Sequence, residues 1–331
     1  MIICRTPFRV SFFGGGTDYP VWYQENGGAV LSTTIDKYCY ISCRYLPPFF
    51  PYKHHIVYSK HERVNDINEI KHPAVREIFK YLNVSKGLSI HYDADLPARS
   101  GLGSSSSFIV GLLNSIYALK HKPISTERLA YKAIHLERGL LKENVGSQDQ
   151  IAAAYGSFNR IKFFGDDTFD VTPILIEKNK LEELQTYLMF FFTGFSRYAS
   201  DIAKTQIKET HKKEKELYKM QEMVDEAISI LSRKKTSIDE FGKLLHESWK
   251  LKRNLTDKIS NKSIDDMYET ARNAGALGGK ITGAGGGGFM LIIARPENHH
   301  RIREALNKLL YVPIRFETSG SKIIFHSSDG H

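Results

Sequence analysis

The chain has 331 residues, of which 41% are hydrophobic and 25% charged, and its formal net charge at pH 7 is +9. This composition is typical of a globular protein, and the length leaves room for two domains with ample core material. Three cysteines without a C-x-x-C pair exclude a disulfide framework and a zinc site, and they indicate a reducing compartment.

The positive net charge favours anionic partners, but the basic residues form no long tract. The short clusters at residues 212–213 and 233–235 stand among helix-forming residues and are interpreted as solvated helix faces. Arg5 and Arg9 interrupt any signal peptide, and the longest apolar run, residues 188–192, is too short to span a bilayer. We therefore expect a cytoplasmic protein with small anionic ligands, and neither a membrane nor a nucleic acid as partner.

Strands and helices alternate in the first half of the chain. Runs of β-branched and aromatic residues bounded by Gly or Pro predict strands at residues 2–5, 9–13, 29–33, 39–43 and 88–92. Apolar spacing predicts helices at residues 105–119, 126–141 and 148–155. Prolines and histidines predict an irregular segment at residues 49–69.

The pattern loosens near residues 159–177, which suggests domains at residues 1–165 and 166–331. In the second half, strands are predicted at residues 187–192, 289–293 and 311–316. Helices are predicted at residues 202–232, 238–255 and 263–273, and a further one is expected to begin at Pro296. Ser263 is the expected N-cap of the third helix. This is an α+β pattern in two lobes.

A segment rich in glycine and serine, residues 97–107, lies between a predicted strand and a predicted helix. Free backbone N–H groups at the helix start make that place a site for anions, and glycines let the backbone approach a phosphate. The segment lacks the lysine of a P-loop, the third glycine of a Rossmann fingerprint and the last glycine of a nucleophile elbow. The alternative interpretation is a flexible Gly/Ser loop.

Two other glycine-rich segments, residues 13–19 and 282–288, also stand at strand ends beside polar residues, which suggests that all three meet at one site. The order of Pro-x-Arg-Val and Thr-Asp-Tyr at residues 7–19, Pro-x3-Gly-Leu-Gly-Ser-Ser at 97–105 and Gly-Ala-Gly-Gly-Gly at 283–287 resembles the GHMP kinases over nearly the whole chain. The resemblance implies the two-lobed GHMP-kinase fold, with a mixed-sheet nucleotide-binding N-terminal lobe and a ferredoxin-like C-terminal lobe.

The resemblance also implies a small-molecule kinase that uses ATP and Mg²⁺. Phosphoryl transfer depends on positioning and charge neutralisation, which a glycine-rich anion cradle can supply. The residues expected to hold ATP are Pro97, Arg99, Gly101, Leu102, Gly103, Ser104, Ser105 and Ser106. By the family pattern, Ser105 and Glu137 would bind the metal. The alternative for Glu137 is a surface glutamate on a helix, paired with a nearby Lys or Arg.

Asp149 matches the family's catalytic aspartate, and Arg9 matches a basic residue near it. Asp149 would accept or orient the proton of the attacking hydroxyl, while Arg9 would keep that carboxylate ionised and stabilise the transferring group. The alternatives are a first-turn carboxylate favoured by the helix dipole and an exposed strand arginine. Residues expected to bind the substrate are Gly16, Thr17, Asp18, Tyr19, Thr34, Lys37, Arg197, Gly283, Gly285 and Gly286.

Within the superfamily, residues 12–20 and 27–38 are most similar to the D-glycero-D-manno-heptose 7-phosphate kinases. Gly14-Gly15-Gly16 departs from the Gly-Glu-His run of galactokinase-like chains. This resemblance implies phosphorylation of the anomeric C1 hydroxyl, which gives the 1,7-bisphosphate. The product lies on the route to activated heptose for surface polysaccharide. A homodimer is compatible with this interpretation. The alternatives are another sugar-1-kinase, for L-fucose or galactose, and an inactive ligand-binding or nucleic-acid-binding protein of related fold.

Overall fold

The computed structural model describes residues 1–98, 100–194 and 199–327. Helices and strands alternate along this part of the chain, in an α+β arrangement. The strands are β1 Ile2–Phe13, β2 Gly28–Tyr45, β3 His54–Val57, β4 His61–Val64, β5 Leu88–Ala94, β6 Phe158–Phe163, β7 Phe169–Pro173, β8 Leu188–Phe192, β9 Ala276–Ile281, β10 Phe289–Ala294, β11 Leu310–Tyr311, β12 Phe316–Glu317 and β13 Lys322–His326. The helices are α1 Pro20–Asn26, α2 Pro73–Tyr81, α3 Ser104–Leu119, α4 Thr126–Ile134, α5 Gln148–Tyr155, α6 Lys178–Tyr187, α7 Ala199–Glu209, α8 Glu214–Ser232, α9 Ile238–Arg253, α10 Lys262–Asn273 and α11 His299–Ala305.

The larger sheet holds β1 and β2 at its centre. Its strand order is β13-β1-β2-β5-β3-β4, with β12 and β6 on β2 and β7 on β6. The β3–β5 pair is parallel and the other pairs are antiparallel, so the sheet is mixed. Helix α3 packs on β1 and β2, and most of its side chains are buried, because its apolar and small residues cover nearly every face. This packing places the start of α3 beside Pro7 and Arg9 of β1.

The smaller sheet has the order β11-β8-β10-β9 and is antiparallel. All six residues of β10 are buried, because α9 packs against this sheet together with α10. Helix α9 also touches β1, and α8 touches β1 and β2, so helices of the second half cover one end of the larger sheet. Within the described residues, no helix is both long enough and apolar enough to cross a membrane.

Several predicted elements differ from the observed ones. Residues 2–13 and 28–45 are single long strands, because two register shifts between β1 and β2 absorb the irregular positions without ending the pairing. Residues 49–69 are not irregular throughout, since they contain the β3–β4 hairpin, which gains a partner in β5. The predicted helix at 126–141 ends as a π-helical segment, His135–Leu140.

The second half also requires corrections. The predicted helix at 202–232 is interrupted, because a 3₁₀ turn, Thr210–Lys212, separates α7 from α8. Helix α10 is capped by Asn261, whose side chain accepts from the Ile264 N–H at 3.0 Å, rather than by Ser263. The predicted strand at 311–316 is replaced by the short β11 and β12, which belong to different sheets.

The larger sheet receives strands from both halves of the chain. β7 pairs with β6, while β12 and β13, near the end of the sequence, pair with β2 and β1. The domain division between residues 165 and 166 stays a prediction. Strands from both sides of that division pair with one another in the larger sheet.

Candidate active site

The start of α3 provides a site suited to phosphate groups. Gly103, the residue before the helix, has φ +74° and ψ +24°, a left-handed conformation that suits glycine, and it offers no capping side chain. Backbone N–H groups in the first turn of a helix lack partners within the helix, and the helix dipole is positive there. Ser105 is exposed at this turn, whereas Ser106 is buried. The geometry therefore agrees with an anion cradle.

The three glycine-rich segments meet in one cleft, as the sequence predicts. Gly101 and Gly283 touch each other so closely that a β-carbon on Gly283 would stand 2.7 Å from Gly101 Cα. The cleft is also lined by Gly15 and Gly16 from the segment after β1. Predicted site residues that line it are Arg9, Gly16, Asp18, Tyr19, Gly101, Gly103, Ser104, Ser105, Ser106, Glu137, Asp149 and Gly283.

Arg9 and Asp149 form a two-point ion pair inside the cleft. Arg9 Nε and Nη2 donate to Asp149 Oδ1 and Oδ2, each at 2.7 Å, and Nη1 donates to the Gly101 carbonyl at 2.8 Å. The arginine side chain is 4% exposed, while the aspartate remains 26% exposed and open to the cleft. Paired hydrogen bonds fix the plane of the carboxylate as well as its position. Arg9 thus joins the catalytic candidate to the backbone of the phosphate loop.

Glu137 lies within the π-helical segment and is completely buried. Its Oε2 accepts from Ser106 Oγ at 2.6 Å and from Gln150 Nε2, whereas its Oε1 has no partner. Burial raises the pKa of Glu137 to about 7, against the lowering effect of the hydrogen bonds from Ser106 and Gln150. An unpartnered carboxylate oxygen beside serine hydroxyls fits Mg²⁺, which prefers oxygen ligands. Ser106 is therefore a second candidate for the metal-binding serine, beside the predicted Ser105.

Asp18 is a second carboxylate that lines the cleft. Its Oδ1 accepts from the Gly16 N–H at 2.9 Å, and its carbonyl accepts from the Ser147 N–H at 3.0 Å. Burial, helped by the nearby charge of Asp149, raises the pKa of Asp18 against the lowering effect of the Gly16 hydrogen bond. A β-carbon on Gly146 would stand 1.8 Å from Asp18 Oδ2, so glycine is required there. Gly146 and Ser147, close to Asp149 in sequence, thus hold Asp18 in place.

Two buried amide side chains beside Asp18 have free polar atoms. Gln148 Oε1 and Gln206 Nε2 are buried without a hydrogen-bond partner, and both residues line the cleft. Gln206 Nε2 lies 2.6 Å from where a β-carbon on Gly16 would stand. Gln206 belongs to α7, which lines the cleft with Ser200, Ala203 and Gln206 on one helix face. Sequence reasoning missed both amides, although Gln206 follows the buried Ile202 at a spacing that predicts the apolar face of a helix.

Two buried lysines near the cleft were also missed. Lys252 of α9 lines the cleft and donates to the Gly283 carbonyl at 2.5 Å, and Lys280 of β9 donates to two carbonyls of β1 at 3.0 Å. Burial, then the charge of Arg9, lowers the pKa of Lys252 to about 8, and burial lowers that of Lys280 well below its usual value. A signal was present, because Lys252 follows the buried Leu245 and Trp249 at helical spacing.

Other predicted site residues do not line the cleft. Pro97 is exposed, Leu102 is buried with its carbonyl accepting from the Arg9 N–H, and Thr17 is buried among backbone carbonyls. Thr34 Oγ1 donates to the Glu317 carbonyl at 2.7 Å, and Lys37 Nζ contacts Asp36. Gly285 and Gly286 pack against Ile259. Arg99 and Arg197 lie outside the described residues.

Two domain models of one protein family match the chain. Residues 68–157 match the family model for the GHMP kinases N terminal domain, and residues 226–312 match that for the GHMP kinases C terminal domain. The two matches together span more than half of the chain.

Individual relatives are similar over nearly the full length. The D-glycero-alpha-D-manno-heptose 7-phosphate kinase of Campylobacter jejuni is 29% identical over 321 residues, which cover 92% of each chain. The bifunctional fucokinase/GDP-fucose pyrophosphorylase of Arabidopsis thaliana is 26% identical over 91% of this chain, which spans 31% of that protein.

The fold is also found among solved structures. The crystal structure of a D-glycero-D-manno-heptose 1-phosphate kinase from Bacteriodes thetaiotaomicron superimposes with a TM-score of 0.80 and 23% sequence identity, covering 99% of this chain and 100% of the other. The chain belongs to the GHMP kinase family, and it is a phosphotransferase that uses ATP to phosphorylate an alcohol group.

Proposed function

We propose that the protein transfers the γ-phosphoryl group of ATP to the anomeric C1 hydroxyl of D-glycero-D-manno-heptose 7-phosphate. The product would be the 1,7-bisphosphate, a precursor of nucleotide-activated heptose for surface polysaccharide. The observation that carries the choice of sugar is the 29% identity, over 92% of both chains, to a D-glycero-alpha-D-manno-heptose 7-phosphate kinase. Three free cysteines, all buried, and the use of ATP support a cytoplasmic location.

In the proposed reaction, Asp149 receives or directs the proton of the sugar hydroxyl. The hydroxyl oxygen forms a bond to the γ-phosphorus, the bond from that phosphorus to the β,γ-bridging oxygen breaks, and ADP leaves with the electron pair. Arg9 holds both carboxylate oxygens of Asp149 and so keeps the free lone pairs directed into the cleft. The amides at the start of α3 bind the triphosphate.

Glu137 and the hydroxyls of Ser105 and Ser106 would hold Mg²⁺ with ATP. When bound, the ion neutralises charge on the phosphate oxygens as the phosphoryl group moves. Support comes from the unpartnered Oε1 of Glu137 and from the hydrogen bond between Ser106 and Oε2. Metal binding requires the ionised carboxylate, which burial alone disfavours in this position.

The acceptor end of the cleft suits a polyhydroxylated molecule. Asp18 and Gln148 offer oxygen acceptors, and Gln206 offers an unpartnered amide N–H group. Hydroxyl groups both donate and accept, so a sugar can satisfy all three side chains at once. Sites of this kind discriminate strongly against analogues that lack a hydroxyl, because the buried polar atoms are then left unpaired.

A sugar phosphate also requires a second anion site. Among the described residues, the cations that line the cleft are Arg9 and Lys252, and both stand near Asp149. We keep Arg197 as the proposed ligand of the sugar's own phosphate, because arginine makes two-point contacts with phosphate and follows a glycine turn in the sequence.

The alternative is a sugar-1-kinase for an unphosphorylated sugar such as L-fucose, which the similarity to a bifunctional fucokinase supports. The two possibilities make opposite demands on the second anion site, so one assay separates them.

The test is Mg²⁺-dependent release of ADP with heptose 7-phosphate, the same heptose without phosphate, L-fucose and galactose. Of the four sugars, we expect strong turnover only with heptose 7-phosphate. NMR of the product should show a phosphate group on the C1 oxygen. Asp149→Asn, purified identically, controls for contaminating kinases. Arg197→Ala should raise the KM for heptose 7-phosphate about tenfold or more. Strong turnover with fucose and none with the heptose phosphate would contradict the proposed substrate, and no turnover with any sugar would contradict the proposed reaction.

A further inference from the structure

Lys252 is a buried cation that the proposed reaction leaves without a role. It lies near the end of α9, in the second half of the chain, and its side chain reaches the cleft beside Gly15, where a β-carbon would stand 3.7 Å from Nζ. The residue is only 4% exposed. Burying an ammonium group is costly unless a partner compensates its charge, so the position calls for an explanation.

The hydrogen bonds of Lys252 are incomplete. Its ammonium group has three N–H donors, and one of them donates to the Gly283 carbonyl at 2.5 Å. Within residues 1–98, 100–194 and 199–327, no carboxylate oxygen lies close enough to Lys252 Nζ to form an ion pair, for which the limit is 4.0 Å. Donors of this group therefore remain available on the side that faces the cleft.

The neighbouring carboxylates accept hydrogen bonds from groups other than Lys252. Asp149 is held at both oxygens by Arg9, and Asp18 accepts from the backbone of Gly16. Lys280, the other nearby ammonium, is directed at the carbonyls of Ser11 and Phe12 in β1 and away from the cleft.

Three basic side chains, Arg9, Lys252 and Lys280, stand close enough to affect one another in this part of the cleft, together with the carboxylates of Asp18 and Asp149. Lys252 lines the cleft, uses one of its three donors on the Gly283 carbonyl, and stands beside the loop that touches Gly101. The complementary ligand is an anionic oxygen in the cleft.

We propose that Lys252 is a catalytic residue that binds an oxygen of the phosphoryl group during its transfer. The inference rests on the proposed site of transfer, between Asp149 and the start of α3. Negative charge spreads over the outer oxygens of the phosphoryl group in the transition state. A cation placed in advance in a water-poor site stabilises that charge more strongly than one in water. The cleft would then receive cations from both halves of the chain, Arg9 from β1 and Lys252 from α9.

The test compares Lys252→Met, Lys252→Arg and Lys250→Met. Lys250 is a matched control, because it lies on the same helix, is 47% exposed and pairs with Glu247. Each variant is assayed with MgATP and with whichever sugar supports the highest turnover of the unmodified protein, so that a wrong choice of sugar does not affect the result. Binding of a non-hydrolysable ATP analogue and of the sugar is measured separately by calorimetry.

We expect Lys252→Met to lower kcat about 100-fold or more, as loss of one transition-state donor does in other enzymes, with sugar and nucleotide affinities changed less than about threefold. Lys252→Arg should recover about tenfold of that loss, because it restores a cation. Lys250→Met should match the unmodified protein. The melting temperature of Lys252→Met should be equal or higher, because a buried charge is removed.

Three outcomes would overturn the inference. Weaker binding of a sugar phosphate with unchanged kcat would place Lys252 at the sugar's own phosphate instead. A lower melting temperature with kcat unchanged, or with kcat restored at low temperature, would show a structural role. If Lys252→Met does not fold, the Lys252→Arg variant decides. A kcat of Lys252→Arg equal at every pH to those of Lys250→Met and the unmodified protein would exclude a role for the ammonium group.

A pH profile gives an independent readout. Lys252 is faced by Arg9 of β1, Asp18 after β1, Asp149 of α5 and Lys280 of β9, and burial is the largest cause of its lowered pKa, about 8. The charged form is the active one in this proposal, so kcat/KM of the unmodified protein should fall as pH rises above about 8. In Lys252→Arg, which stays charged, that fall should be absent. The same fall in both proteins would contradict the inference.

Discussion

Two groups of side chains in the cleft differ in how far the protein itself satisfies their polar atoms. On the donor wall, defined by Arg9, Gly101, Ser106, Glu137 and Asp149, protein groups hold nearly every polar atom, and Glu137 Oε1 is the exception. On the acceptor wall, defined by Asp18, Gln148 and Gln206, both amides retain unpartnered atoms.

The difference separates chemistry from recognition. Groups fixed in advance by the protein lose little free energy to reorganisation during the reaction, so the donor wall should govern kcat. Groups that wait for a ligand gain their hydrogen bonds on binding, so the acceptor wall should govern KM and the choice of sugar. Four variants test this comparison.

The largest effect is expected for Asp149→Asn, which removes the proton acceptor and one charge of the Arg9 pair. We expect kcat to fall by about 10²–10⁴, with the ATP affinity nearly unchanged. Steady-state kinetics together with calorimetry of a non-hydrolysable ATP analogue measure both quantities. Turnover within a factor of three of the unmodified protein would remove Asp149 from the mechanism.

Glu137→Gln should lower kcat about 100-fold at saturating ATP and raise the Mg²⁺ concentration required, because a neutral amide binds Mg²⁺ weakly. The variant should also be more stable than the unmodified protein at high pH, because it has no carboxyl group to ionise at this buried position. The folded-state pKa of Glu137, about 7, lies above its ordinary value of 4.5, so the fold binds the proton more tightly than the unfolded chain does. That contribution to the free energy of unfolding is complete below pH 4.5 and is lost as the pH rises through 7.

Thermal melts without nucleotide check the sign of this effect. Between pH 5 and pH 8 the unmodified protein should lose on the order of 2 kcal/mol relative to Glu137→Gln. Parallel stability profiles of the two proteins would show that the Glu137 carboxyl does not titrate in this range.

Arg9→Lys keeps the charge beside Asp149 but cannot make the two-point contact or the bond to the Gly101 carbonyl. We expect kcat to fall about tenfold with the sugar KM nearly constant. Arg5 lies on β1 like Arg9 and forms a partly exposed ion pair with Glu317, so Arg5→Lys serves as the control. Its kcat should stay within twofold of that of the unmodified protein. A rise in the sugar KM alone would place Arg9 on the acceptor wall.

The smallest effect is expected for Gln206→Leu. Loss of one neutral hydrogen bond to the sugar should raise its KM about five- to tenfold with kcat unchanged. Competition assays between sugars should show weaker selectivity at the same time. A tenfold fall in kcat with constant KM would break the division between the two walls.

Much of the donor wall could be predicted from local sequence patterns. Gly103 needs a left-handed conformation before a helix, and a glycine-rich turn of that kind can be recognised in the sequence. Glu137 and Asp149 were found through the family resemblance, because a carboxylate on a helix carries no local signal of its role.

Gln206 of the acceptor wall and the buried Lys252 were harder to predict for a physical reason. Gln206 and Lys252 lie on helices α7 and α9, more than 50 residues from Asp149, and only packing brings them to the cleft. Thr34 and Lys37 were expected at the substrate as candidates for the second anion site that a sugar phosphate requires. They lie instead on β2, where Thr34 bonds to the backbone of β12 and Lys37 contacts its neighbour Asp36. A polar residue on the apolar face of a helix indicates a site without telling where the site is.

The pairing of β1 with β13 has a consequence for how the active site forms. The strand that carries Arg9 pairs with a strand that lies far away in sequence, and beside this pairing Cys4 contacts Ser321 across a separation of 317 residues. Contacts between such distant residues slow folding, because a long loop must close before they form. Until that loop closes, one edge of β1 has no strand beside it and can pair with other chains. Closure of this long-range pair would then be a late step in completing the sheet behind the cleft.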